Sequence, residues 1–138
     1  MSIYHLSKTN LEKNVLHPRI PENYMTKNKY EDNITPRICF CPSIRQSIMA
    51  LCRNCSGETL FVHIPMDSYP LYYPTKDEVP DVKITNEIWI KEDVRLKCIG
   101  IIYIDGPSDN KYKIDYCDKE TYSYEFHWHW IEKFNLFK

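Results

Sequence analysis

The chain has 138 residues, 43% hydrophobic and 14% aromatic, which suits a single domain (1–138) with a real core. A formal net charge of -1 excludes a global pull toward nucleic acid or anionic membrane and leaves no evident nucleic-acid patch. No apolar run approaches the roughly 20 residues that span a bilayer, and "MSIYHLSKTN" lacks the regions of a signal peptide, so no membrane association and a cytoplasmic setting are expected.

"SIYHL" alternates and carries the β-favouring Ile3 and Tyr4, so it reads as a first strand. Residues 7–36 are polar and hold Pro18, Pro21 and Pro36; they read as a long loop with one short helical turn near Asn10 to Val15. A connection of that length is functional or disordered. "PRICFC" is a strand with Ile38 and Phe40 on one face and Cys39 and Cys41 on the other. "PSIRQSIMALC" is a helix, capped by Pro42 or Ser43, with Ile44, Ile48 and Leu51 in an apolar stripe. "ETLFVHIP" is a strand ended by Pro65, followed by a second long Pro-bearing segment at 66–83. "NEIWI" and "VRLKCIGIIYI" are the clearest strands, "KYKIDYC" is another, and "TYSYEFHWHWI" ends the chain as a strand or short helix. Strands in runs with one main helix predict an α+β fold with a mostly antiparallel, split sheet.

Several side chains could carry chemistry. The imidazole of His5 offers a donor and an acceptor suited to ribose hydroxyls, and Ser7 lies two residues on. Arg19 and Arg37 each follow a proline at the two ends of the long loop, where planar guanidinium forks could grip an anion. Glu87 shares a strand face with Trp89, and a carboxylate beside an aromatic wall can stabilise positive charge developing on an anomeric carbon. Read one at a time, these residues also fit a packed histidine, surface arginines and an edge-strand charge. The pairs Cys39-x-Cys41 and Cys52-x-x-Cys55 resemble halves of a zinc site but lack its tight turns, so small buried hydrophobes are expected and no metal is assigned. His127 and His129 share a face of the aromatic tail, whose Trp128 and Trp130 would suit a non-catalytic binding module, an inhibitor or adaptor.

Taken together, "YHLS", the strand–helix "RICFCPSIRQSIMAL" and "NEIWIKEDVRLKCIGIIYI" resemble the ADP-ribosyltransferase family. The resemblance implies an ADP-ribosyltransferase-like fold and NAD as the bound substrate. It also implies transfer of ADP-ribose to an unknown macromolecular acceptor or to water. His5 would bond the adenine-side ribose, Ser7 would shape that pocket, and Glu87 would hold the nicotinamide-side ribose. Phe40 or a neighbouring Tyr would wall the nicotinamide, and Ser43 is the one hydroxyl where many relatives carry Tyr or a Ser-Thr-Ser run. Arg19 and Arg37 as pyrophosphate contacts rest on their chemistry rather than on a motif. Thr85 stands where some relatives carry the acidic residue or Gln that selects a protein acceptor, which leaves the acceptor open.

Overall fold

The run Val94–Ile104 alternates in burial along its length and forms β6, the spine of the molecule. Val94, Leu96, Cys98, Ile102 and Ile104 are buried along it, Val94 and Leu96 in one apolar cluster and Ile102 and Ile104 in another. A computed structural model describes residues 2–51, 55–104, 111–116 and 122–125, with the backbone alone at 111, 112 and 122–125. Within them the larger sheet runs β1 (His5–Ser7), β4 (Thr59–Pro65), β6, β7 (Lys111–Tyr116) and β8 (Tyr122–Glu125), and β2 (Val15–Leu16) also pairs with β6. A second sheet joins β3 (Ile38–Phe40) to β5 (Ile88–Ile90). Every pairing between these strands is antiparallel. The helices are α1 (Tyr24–Lys27), α2 (Ile44–Ala50) and α3 (Val82–Thr85). The fold is α+β, mostly antiparallel, with few helices. No described helix is long and apolar enough to cross a membrane.

Two apolar clusters hold the sheets. Ile44 and Ile48 of α2 pack with Leu6, Leu60, Val62, Ile102, Ile104 and Ile114 of the larger sheet. Ile38, Phe40, Ile88 and Ile90 of the smaller sheet pack with Ile3, Val94 and Leu96. Each such side chain, once enclosed, contributes about 1.5–3 kcal/mol. Ser43 caps α2 by accepting the Gln46 N–H at 3.1 Å, which decides the cap left open by the sequence.

Two local features set the site. Opposite β6, the register of β4 slips between Val62 and His63: Val62 pairs with Gly100 and His63 with Cys98, leaving Ile99 unpaired. The extra residue lies on β6, so Cys98 follows His63 and Gly100 follows Val62 to opposite sides of the sheet, and Val62 and His63 are both fully buried. The chain also crosses between sheets at Tyr4. Its backbone bonds Cys41 at the end of β3, at 2.8 and 3.0 Å, and the next residue, His5, already pairs with His63 of β4.

The long loop differs from its expected form. Where a helical turn was expected at Asn10 to Val15, a turn closed by Asn14 N–H on Leu11 C=O leads into β2. The helix comes later, at α1, because Asn23 and Thr26 form a capping box: the Asn23 side chain accepts from the Met25 and Thr26 N–H groups, and Thr26 Oγ1 accepts from Asn23 N–H. Arg19 and Arg37 pair through their backbones at 3.2 and 2.9 Å, so the two Pro-Arg steps form the neck of this loop.

Candidate functional site

A cleft of about 840 Å³ opens where the two sheets and the 20–36 loop meet, a size usual for small-molecule sites. β1 contributes His5 and Ser7, β3 contributes Cys39 and Phe40, and Glu31 and Glu87 complete its acidic side. His5 Nδ1 lies 2.8 Å from the Cys39 carbonyl oxygen, which can only accept, so Nδ1 carries the proton and Nε2 keeps its lone pair. Burial holds the ring's pKa down at about 4; His63 and Arg19 push the same way and the Cys39 carbonyl partly opposes them. His5 is therefore a neutral acceptor through the physiological range. His63 takes the same tautomer for a different reason: its Nε2 accepts the Leu11 N–H at 3.0 Å, so its Nδ1–H donates to the His5 carbonyl at 3.2 Å.

Glu87 follows the left-handed residue Asn86 (φ 52) that ends α3 and immediately precedes β5. It is 6% exposed. Cys39 and Trp89 are register partners across β3 and β5 and so share a face, and Glu87, two residues before Trp89, points to it as well. Burial raises the Glu87 pKa, and Asp81 adds to that; the Cys39 thiol, the Trp89 indole N–H and Arg37 draw it back. Glu87 Oε2 and Trp89 Nε1 themselves have no partner in full hydrogen-bond geometry. The Cys39 thiol is pushed well up, by burial first and the Glu87 charge second, so it is no nucleophile. Cys39 thus joins the two walls of the cleft: its carbonyl orients His5 and its thiol lies against Glu87.

Glu31 is the acid that the sequence did not single out. Burial, the neighbouring Glu87 charge and Asp81 push its pKa up to about 8 against the pull of Arg37. Its loop is held firmly. The Tyr30 and Glu31 N–H groups donate to the Met25 carbonyl, the Asp32 N–H donates to the Glu78 carbonyl at 2.8 Å, and the Asp32 carboxylate accepts the Ile34 and Thr35 N–H groups.

Arg37 lies at the centre of this loop. Its side chain is fully enclosed, with Nη1 donating to the Asp32 and Thr35 carbonyls at 2.8 and 3.0 Å and lying 3.3 Å from Asp32 Oδ1. Nη2 lies 3.6 Å from Glu31 Oε1. The guanidinium stacks 4.3 Å over the Trp89 ring, Trp89 stacks on Tyr72 at 5.5 Å, and Lys91 Nζ caps Tyr72 at 3.5 Å. Cation–π contacts of this kind contribute about 0.5–2 kcal/mol each.

The other expected residues divide. Arg19 is exposed on the cleft wall, free to meet a ligand, whereas Arg37 is bound up in the loop. Ser7 lines the cleft and its oxygen accepts the Thr9 N–H at 3.2 Å. Phe40 is 1% exposed and backs His5 at 5.6 Å between ring centroids rather than presenting an open face. Ser43 does not line the cleft; its hydroxyl is used in the α2 cap. Cys39, Cys41 and Cys55 form no disulfide among the described residues, and Cys52, His127, Trp128, His129 and Trp130 lie outside them. Among the described residues no three His, Cys, Asp or Glu side chains gather as a metal site. No family model, no curated protein and no solved structure matches the chain.

Proposed function

We propose that the protein is an NAD-binding enzyme of the ADP-ribosyltransferase type and fold. It binds NAD in the cleft, cleaves the nicotinamide–ribose bond and passes ADP-ribose to a macromolecule or to water. The observation that carries this reading is that His5 and Glu87, far apart in sequence, line one cleft and are joined through Cys39. The Nε2 lone pair of His5 suits a ribose hydroxyl as donor. Glu87 suits the second ribose and the positive charge that grows on its anomeric carbon. The lining carries both signs, with exposed Arg19 and Lys8 and enclosed Glu31 and Glu87, as a ligand with an anionic diphosphate and a cationic pyridinium requires. In the reaction the C1′–N bond breaks and its electron pair leaves on nicotinamide, which departs neutral. An acceptor oxygen then bonds C1′ and gives its proton to solvent.

The test is NAD turnover by wild type and Glu87→Gln, with water and a panel of macromolecular acceptors. The variant should lose about a hundredfold or more, as when one transition-state contact is removed. Equal rates, or no wild-type turnover with any acceptor, would overturn the reading. NAD should also raise the melting temperature, since a ligand that binds only the folded chain stabilises it.

A further inference from the structure

Glu87 has a buried oxygen, Oε2, with no N–H or O–H donor in hydrogen-bond geometry, and the residue lines the cleft. With every carboxyl ionised, Glu31, Glu87 and Asp81 would repel one another, and Arg37, which acts on Glu31 and Glu87, also lies 3.3 Å from the Asp32 carboxylate. Like charges in an enclosed space cannot all be kept, and one proton shared between two carboxyls relieves the repulsion and supplies a donor. Glu31 reaches the cluster on a loop fixed through Met25, Asp32 and Glu78, and Arg37 holds its carboxyl at 3.6 Å.

We infer that Glu31 is a positioning residue: as the neutral acid it donates its proton to the Glu87 carboxylate, holding that group at one orientation in the cleft while leaving it charged. The groups facing Glu31 are Glu87 before β5, Arg37 and Cys39 at β3, and Asp81 before α3. The proton belongs on Glu31 because its carboxyl is pushed up to about 8, while Glu87 is drawn back by Cys39, Trp89 and Arg37. In the kinetic sense this rests on the glycosidic reading; the shared proton itself does not.

Two measurements separate them. Carbon-13 NMR of carboxyl-labelled glutamate should show a Glu31 signal titrating near pH 8, lost in Glu31→Gln, with the Glu87 signal following the same titration in wild type. If no glutamate assigned to Glu31 titrates above about pH 6, or if Glu87 ignores its titration, the inference fails whether or not NAD is turned over. In turnover, Glu31→Ala should lose about tenfold to a hundredfold through loss of alignment, and Glu31→Gln, whose amide still donates, should restore most of it. Wild type should lose rate as Glu31 ionises near pH 8, and Glu31→Gln should lack that alkaline limb. A Glu31→Gln enzyme as slow as Glu31→Ala, or one that keeps the limb, would overturn the inference, because Glu31 would then act as an ionised base or not at all. Absence of wild-type turnover would sink the proposed activity and leave the NMR result to decide the shared proton.

Discussion

Glu31→Gln should change how stability depends on pH, in a direction and amount set by the buried cluster. Glu31 keeps its proton up to about pH 8 in the fold, against an ordinary value of 4.5. Between those values the folded chain holds a proton that the unfolded chain has released, so stability is fullest below 4.5 and falls as pH rises toward 8. At about 1.4 kcal/mol per pH unit the whole loss approaches roughly 5 kcal/mol, an upper figure because Glu87 shares the proton. His5 acts with the opposite sign. Its folded value of about 4 lies below the ordinary 6.5, so its stabilisation is present above 6.5 and is lost as pH falls toward 4. The two slopes oppose each other between 4.5 and 6.5, and from 6.5 to 8 the Glu31 contribution lowers wild-type stability by at most about 2 kcal/mol. Glutamine keeps the shape and has no proton to lose. The advantage of Glu31→Gln over wild type should therefore grow with pH from 4.5 and level off near 8. Urea unfolding followed by tryptophan fluorescence from about pH 5 to about pH 9 measures this, provided the slope with urea stays the same in both proteins. The difference between the proteins removes every group that titrates alike in both. Parallel curves, or an advantage that shrinks as pH rises, would refute the reasoning.

Three other outcomes are expected. Arg37→Met should cost about 3–5 kcal/mol, because it leaves enclosed acids without their cation; a loss under about 1 kcal/mol in urea unfolding would count against that role. Gly100→Ala should cost about 1–3 kcal/mol, because its Cβ would lie 2.6 Å from the Asp115 carbonyl oxygen across β6 and β7, and unchanged stability would show that the strands can part there. The Leu11 amide should be protected from hydrogen exchange at neutral pH and lose protection in acid. His63, already held below its ordinary pKa chiefly by burial, then gains a proton on the nitrogen that accepts the Leu11 N–H. Protection that persists after His63 protonates would contradict that bond.

Much of the scaffold could be read from residue order. Alternation in "VRLKCIGIIYI" identified β6 because every second residue of that strand is buried on either side of its bulge. The stripe of Ile44 and Ile48 and the hydroxyl of Ser43 identified α2 for equally local reasons. His5 and Glu87 were legible as candidates through the chemistry of an imidazole and of a carboxylate beside Trp and through their order along the chain, and the tertiary structure brought both to one cleft. Arg37 could not be told from Arg19 in the sequence, since both follow proline; only the closing of the loop at their shared neck enclosed one and left the other on the cleft wall. Glu31 sits in "KYEDN", a stretch that looks like any solvated loop. Its role depends on contacts with residues far along the chain, through Glu78, Arg37 and Glu87. Periodicity reports which face of a strand or helix is buried, whereas the protonation of an acid depends on which distant charges the fold sets beside it. The sequence by itself therefore determined most of the longer strands, the main helix and the kinds of chemistry present, and the tertiary structure alone decided which acid carries the proton, because electrostatic coupling depends on distance in space.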